Sequence, residues 1–242
     1  MLLSSDPKIQ AFEVDCMKFM QNKPDKTYDL AIVDPPYGID VIDKTYQNKK
    51  TRPGKAKAHK TNYTPKDWDK KSPDKPYFDE LIRVSKNQIV WGANHFISKI
   101  PYDSSCWIVW DKCNGNNDFA DCELAWTSFS TAVRKFKYVW NGMLQENMKF
   151  KQNTIHPNEK PVKLYEWLLT KYAKPGFKIL DTHGGSMSLA IACYNLGFDL
   201  DICEMDADYF QDATDRVKAH IAKPKGLFTY RETMRTEPNK LF

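Results

Sequence analysis

The chain has no C-x-x-C pair among its 6 cysteines and no apolar run approaching the ~18 residues of a membrane span. Its first ten residues, MLLSSDPKIQ, lack the long apolar stretch of a secretion signal. These absences exclude a paired-cysteine redox or zinc motif and a bilayer helix. They predict a cytoplasmic protein in which Cys16, Cys106, Cys113, Cys122, Cys193 and Cys203 are reduced thiols. No internal repeat is present, and no histidine has the neighbours of a metal site. Excess charge is also modest: a net +5 does not by itself name a nucleic-acid partner, and its distribution matters more. What is present is 242 residues, 41% hydrophobic and 28% charged, enough for a sizeable core and one α/β domain with an elaboration.

The most informative stretch is DLAIVDPPYGID, Asp29 to Asp40. Leu30 to Val33 is short, apolar and partly β-branched, as an interior strand of a parallel sheet is. Proline lacks an N–H and fixes φ, so Pro35 and Pro36 stop that strand at Asp34. The Asp34 carboxylate is then expected at the carboxyl end of a strand, where open α/β sheets bind ligands.

Strands are expected at Ala11–Val14, Gln88–Trp91, Cys106–Trp110, Glu123–Phe129, Arg134–Trp140, Phe177–Asp181 and Leu200–Glu204. Helices are expected at Asp15–Met20 with Asp15 as N-cap, Tyr77–Val84, Val162–Tyr172, Leu189–Leu196 and Asp208–Ile221. Met143–Pro157 reads as a loop, and the polar tail runs over 223–242. Strands alternating with helices predict an α/β fold with a doubly wound, mostly parallel sheet. Residues 39–76 differ: they are poor in aliphatics and rich in lysine, with Tyr46, Tyr63 and Trp68 interleaved. A segment this long is either a solvated loop or a functional one.

ILDTHGGSMSLAIA reads as strand, tight turn and helix. Gly184 and Gly185 allow a sharp turn, and the helix start beyond favours an anion. About twenty residues on, LDICE ends in Glu204, an acid placed to accept from ribose hydroxyls. A plain strand-to-helix turn is the alternative. Asp181 closes its strand or lines the pocket, and His156 caps the following segment or faces the ligand.

With DPPY at Asp34–Tyr37, HPNEKPVKL at His156–Leu164, DTHGGSMS at Asp181–Ser188 and EVDC at Glu13–Cys16, the chain resembles the permuted group of S-adenosylmethionine-dependent DNA amino-methyltransferases. WGANHF at Trp91–Phe96 is also similar to that group. The resemblance covers most of the chain. It implies a Rossmann-like methyltransferase domain over 1–242, with residues 11–140 as the catalytic half and 156–222 as the cofactor half. Asp34, Pro35, Pro36 and Tyr37 are its implied catalytic residues. The implied cofactor contacts are Asp15, Asp34, His156, Asn158, Lys160, Pro161, Asp181, Thr182, His183, Gly184, Gly185, Ser186, Glu204 and Met205. The chain departs from the pattern at Met187, where a glycine is usual, and at Thr182–His183, where Pro-Phe is usual. A β-carbon at 187 is expected to crowd the cofactor or force another φ.

The implied reaction is methyl transfer to adenine N6 in double-stranded DNA, with the base flipped onto Tyr37. The alternatives are cytosine N4 and, in another class, a DNA-binding relative without catalysis. No metal is required, and no Pro-Cys nucleophile is present for cytosine ring carbon. Lys49, Lys50, Arg52, Lys55, Lys57 and Lys60 are candidate phosphate contacts. Tyr63 and Trp68 either hold the gap left by the base or simply pack. Base readout is expected in this loop and in 114–119 or 143–153. A second copy of the chain and a separate restriction endonuclease are candidate partners; no membrane is.

Overall fold

A computed structural model describes residues 1–39, 71–114, 120–141, 144–150, 154–156 and 158–223. The expected phosphate contacts from Lys49 to Lys60, with Tyr63 and Trp68, lie outside the described residues, as do the tail beyond 223, residues 115–119 of one expected readout segment, and residues 143 and 151–153 of the other.

Among the described residues, nine strands form one sheet. In chain order they are β1 (Leu2–Ser5), β2 (Lys8–Glu13), β3 (Tyr28–Val33), β4 (Ser85–Trp91), β5 (Ile108–Asp111), β6 (Cys122–Thr127), β7 (Arg134–Lys137), β10 (Lys178–Asp181) and β11 (Asp199–Glu204). Two more, β8 (Trp140–Asn141) and β9 (Leu144–Gln145), make a separate hairpin. The sheet order is β1-β2-β11-β10-β3-β4-β6-β5-β7. Strands β2, β11, β10, β3 and β4 are mutually parallel; β1 and β6 run against their neighbours. The fold is therefore the expected α/β class with a mostly parallel sheet. The late strands β10 and β11 are inserted between the early strands β2 and β3.

β3 shows why the sheet lies in the middle of the molecule. Leu30, Ala31, Ile32 and Val33 are each at most 1% exposed. Alternation sends Leu30 and Ile32 to one face and Ala31 and Val33 to the other. The first face is covered by α3 (Val162–Tyr172), α4 (Ser188–Leu196) and α5 (Ala207–Ile221). The second is covered by α1 (Cys16–Gln21) and α2 (Lys75–Val84). Each fully buried aliphatic side chain stabilises this three-layer arrangement by roughly 1.5–3 kcal/mol.

α2 has Pro76 in its first turn, where a missing N–H costs nothing, and buries Tyr77, Phe78, Leu81 and Val84 at helical spacing. Arg83 ties it to α1 by donating to the carbonyls of Met20 and Lys23, while pairing with Glu80 and Asp25. Asp15 caps α1 as expected, its carboxylate accepting from Lys18 N–H at 3.0 Å.

Several boundaries differ from expectation. β1 was not anticipated: it is four residues long and only half-buried, so its sequence carries no apolar alternation. β2 begins at Lys8, three residues early, because the turn at Asp6–Pro7 pairs it with β1. The expected strand Arg134–Trp140 is split: β7 ends at Lys137, and Trp140 turns away to donate its indole N–H to the Glu159 carbonyl. The expected loop from Met143 therefore contains β9 and a 3-10 turn at Met148–Phe150. α5 starts at Ala207, one residue early, because Asp206 caps it, accepting from Asp208 and Tyr209 N–H. All six thiols are free. Among the described residues no helix is long and apolar enough to cross a membrane.

Candidate active site

β3 and β10 are adjacent and parallel, and their onward connections diverge. From β3 the chain passes through α2 to β4 on one side; from β10 it passes through α4 to β11 on the other. The crevice between the two strand ends is the switch point at which such sheets bind ligands. Asp34 follows β3 there, and Asp181 ends β10.

Asp34 is held on both oxygens. Tyr37 Oη donates to Oδ1 at 2.7 Å, and the Lys160 ammonium donates to Oδ2. Lys160 also donates to Tyr37 Oη at 3.2 Å. Its side chain is 4% exposed and that of Asp34 19%, so this is an ion pair largely removed from water. Burial alone would lower the Lys160 pKa, but the carboxylates of Asp34 and Glu123 outweigh it and hold the ammonium above its ordinary value. Tyr37 is pushed well up by burial and by Asp34, so it stays a donor.

The Tyr37 ring lies nearly parallel to His95, with centroids 5.0 Å apart and planes at 15°. Gly92 makes room for it: φ is +67°, and a Cβ there would fall 2.0 Å from Tyr37 Cε1. Gly38, at φ +73°, packs against the backbone of Lys71 and Ser72. The chain thus returns beside Tyr37 after the basic segment.

The glycine turn stands across the crevice. Gly184 N–H donates to the Cys203 carbonyl at 2.7 Å, and a Cβ on Gly184 would meet that oxygen at 3.1 Å. Glu204 Oε2 accepts from Gly185 N–H and Oε1 from Asp206 N–H, at 2.8 and 2.9 Å. A carboxylate has about four lone-pair sites, so these backbone donors do not exhaust its capacity to accept from a ligand. Met205 follows, 67% exposed, an apolar surface beside that acid. Val14 N–H donates to the Glu204 carbonyl, which places Asp15 just past the same strand end. The His156 ring lies over Gly185 and packs edge-on against Tyr209 at 4.6 Å. Asn158 N–H donates to His156 Nδ1, and Pro161 precedes α3. Ser186 is buried, its hydroxyl 3.1 Å from that of Ser188. α4 begins here and leaves its first N–H groups without intrahelical partners.

Met187 resolves its own departure from the glycine pattern. It keeps the left-handed conformation, φ +54°, and is 0% exposed, its side chain in the core rather than in the crevice. The β-carbon at this position therefore sits on a left-handed backbone, where a side chain is strained, while the rest of the side chain packs in the core. Substituting Met187→Gly relieves roughly 1–2 kcal/mol of backbone strain but loses a buried side chain worth roughly 2–5 kcal/mol. Urea melts are expected to show the glycine variant less stable, by about 1–3 kcal/mol; a gain in stability would contradict the packing.

Thr182 and His183 replace the usual pair with a polar chain. Tyr77 Oη lies 2.7 Å from Thr182 Oγ1, which lies 2.9 Å from His183 Nδ1. Burial lowers the imidazole pKa to about 4, while an unfolded histidine titrates near about 6.5. The unfolded chain therefore takes up the proton first. This contribution to stability is complete above about pH 6.5 and lost as pH falls toward about 4. His183→Phe is expected to flatten the pH dependence of unfolding across that window. Burial also raises the Asp181 carboxyl well above its ordinary range, although its Oδ1 accepts from His183 N–H at 3.0 Å.

Sequence reasoning did not single out four residues that build this site. Arg216, on α5, donates to the Ser186 carbonyl at 2.7 Å and to Glu159 at 2.9 Å, locking the glycine turn to the segment carrying Lys160. Tyr77 and His95 were not anticipated as partners, and Glu123 was read only as part of a strand. Their partners lie far away along the chain. The structure brings together two groups: Asp34, Tyr37 and Lys160 on one side, and Asp181 to Ser186, Glu204, His156 and Asp15 on the other. Lys160 sits with the first group, on Asp34, rather than against the glycine turn.

Residues 56–215 match a protein-family model described as DNA methylase, covering N6 and N4 enzymes. The match begins beyond Tyr37. Among solved structures, the M1.HpyAVI–SAM complex is 22% identical with a TM-score of 0.53, covering 86% of this chain and 99% of that one. TTHA0409 from Thermus thermophilus, complexed with S-adenosyl-L-methionine, is 15% identical with a TM-score of 0.55, covering 89% and 95%. The cytosine-N4-specific PvuII DNA methyltransferase is 12% identical with a TM-score of 0.54, covering 94% and 90%.

Proposed function

This chain belongs to the DNA methylase family, and on that premise we propose that it transfers a methyl group from S-adenosylmethionine to adenine N6 in DNA, on a base flipped out of the duplex. The observation that carries this reading is the pairing across one crevice of an aspartate at a strand end with a glycine turn and its ribose-type acid.

The residues fit the cofactor. Glu204 keeps lone pairs for a ribose diol, exposed Met205 offers an apolar face to an adenine ring, and the start of α4 favours a carboxylate. Asp15 and His156 border the same space. When bound, S-adenosylmethionine supplies an electrophilic methyl on a sulfonium.

The protein's task is the nucleophile. An exocyclic amine is poor because its lone pair is delocalised into the base. Asp34, and the carbonyl of Pro35 beside it, act as acceptors for the two N–H bonds and favour a pyramidal nitrogen. Pro36 stiffens that corner, and Tyr37 offers its ring to the base. The order of the halves, with Asp34 early and Glu204 late, is that of the permuted group. An aspartate at the head of this motif favours adenine. The basic residues Lys49, Lys50, Arg52, Lys55, Lys57 and Lys60 complete the reading as salt-sensitive phosphate contacts.

The test is transfer from labelled S-adenosylmethionine to unmethylated genomic DNA, followed by digestion to nucleosides. N6-methyladenine is the expected product. N4-methylcytosine would correct the base alone, and no labelled nucleoside would refute the activity.

A further inference from the structure

The ion pair at Asp34 is one link in a longer chain of charge. Lys160 Nζ also lies 3.2 Å from Glu123 Oε2, and Glu123 in turn pairs with Lys112 just past β5. Oε2 is buried and accepts no well-directed hydrogen bond, so Lys160 faces it off-axis while bonding Asp34 directly. The ammonium is confined between the rings of Tyr37 and Trp91, 5.7 and 5.5 Å from their centroids. It has two carboxylates within reach and is fully engaged with only one.

This matters for the chemistry read above, on which the inference rests. Asp34 must accept from an amine whose nitrogen gains positive charge as transfer proceeds. A cation already bonded to Asp34 occupies an acceptor position and opposes that charge. The ammonium needs another anion before Asp34 is free to act, and moving it into solvent from a site 4% exposed would leave two half-buried carboxylates without their shared cation. We propose that Glu123 is a positioning residue for the transfer step: it is the second seat for Lys160, taking the ammonium when the target amine takes its place at Asp34.

The groups around Lys160 are consistent with a short shift. Asp34 and Tyr37 face it from the end of β3, Glu123 from β6 and Asp181 from β10, with Lys112 beyond Glu123. Glu123 is held below its ordinary carboxyl range, burial being outweighed by Lys160 and Lys112, so it is an anion in either arrangement.

The test is a cycle of Glu123→Gln, Lys160→Met and the double variant, read by single-turnover methyl transfer to DNA and by calorimetric binding of S-adenosylmethionine. Glu123→Gln is expected to slow transfer about thirtyfold with cofactor affinity unchanged, because Lys160 then stays on Asp34. Removing that lysine in the double variant is expected to restore rate above the Glu123→Gln single variant. A merely structural Glu123 would make the double variant no faster than the single, which would overturn the proposal, as would a Glu123→Gln rate equal to wild type.

A second reading does not depend on turnover. Carbon-13 lysine NMR of the full chain follows Lys160 directly, and the lysine is expected to lose its proton at lower pH in Glu123→Gln than in wild type. An unchanged titration overturns the proposal whatever the activity. Absence of methyl transfer by wild type, with the titration shifted as expected, refutes the proposed reaction and leaves the Glu123–Lys160 pairing standing.

Discussion

Replacing Asp34 by asparagine is expected to lower the rate of methyl transfer about a thousandfold while leaving S-adenosylmethionine binding within about threefold of wild type. The side chain keeps its shape, and Tyr37 still has an oxygen to donate to. What is lost is the negative charge. Lys160 keeps Glu123 as a partner, so no isolated buried cation is created and the fold is expected to survive. The cofactor contacts proposed for Glu204, Met205 and His156 lie across the crevice and are untouched. The measurement is a single-turnover assay beside calorimetry on the same preparation. Loss of both binding and rate would mean that Asp34 organises the pocket. Retention of more than about a tenth of the rate would remove it from the chemistry, since one such electrostatic group is ordinarily worth about 10²–10³.

Much of this architecture was legible in the chain itself, for identifiable reasons. β3 announces itself because a parallel strand buried on both faces needs an unbroken apolar run, and Leu30 to Val33 is one, cut off by two prolines. α3 and α4 are legible by their periodic apolar residues and their stops at Lys174-Pro175-Gly176 and Gly197. β1, β8 and β9 were not. Strands of two to four residues owe their existence to a neighbour's hydrogen bonds, not to a pattern of their own. That β10 and β11 lie between β2 and β3 is likewise a pairing fact, invisible in local sequence.

The site divides the same way. Asp34, Tyr37, Gly184, Gly185 and Glu204 stand in short motifs whose residue types are dictated by local backbone chemistry. Glu123 is one alternate residue of CELAWT, and nothing local marks it as the partner of a lysine 37 positions away in a different motif. Arg216 meets Ser186 across 30 residues, and Tyr77 meets Thr182 across 105. Met187 divides in a related way: the sequence shows that a side chain replaces a glycine, but only packing shows that this side chain lies in the core.

Gly92 is where fold and site are most tightly joined, and Gly92→Ala is expected to lower methyl transfer by at least about a hundredfold. Its φ of +67° costs any other residue roughly 1–2 kcal/mol. The larger effect is steric. The new Cβ would lie 2.0 Å from Tyr37 Cε1 and 2.4 Å from Cζ, so one of the two must move. Gly92 resists because its N–H donates to the Leu124 carbonyl at 2.9 Å, continuing the pairing of β4 with β6. Tyr37 therefore moves, and with it go the hydroxyl on Asp34 Oδ1 and the ring stacked near His95. Urea melts of Gly92→Ala, Tyr37→Ala and the double variant separate the two costs. If the collision is the cause, adding Gly92→Ala to Tyr37→Ala costs only the backbone term of roughly 1–2 kcal/mol, less than it costs in wild type. Equal costs in both backgrounds would mean that the glycine serves its own turn alone and that Tyr37 is positioned by something else.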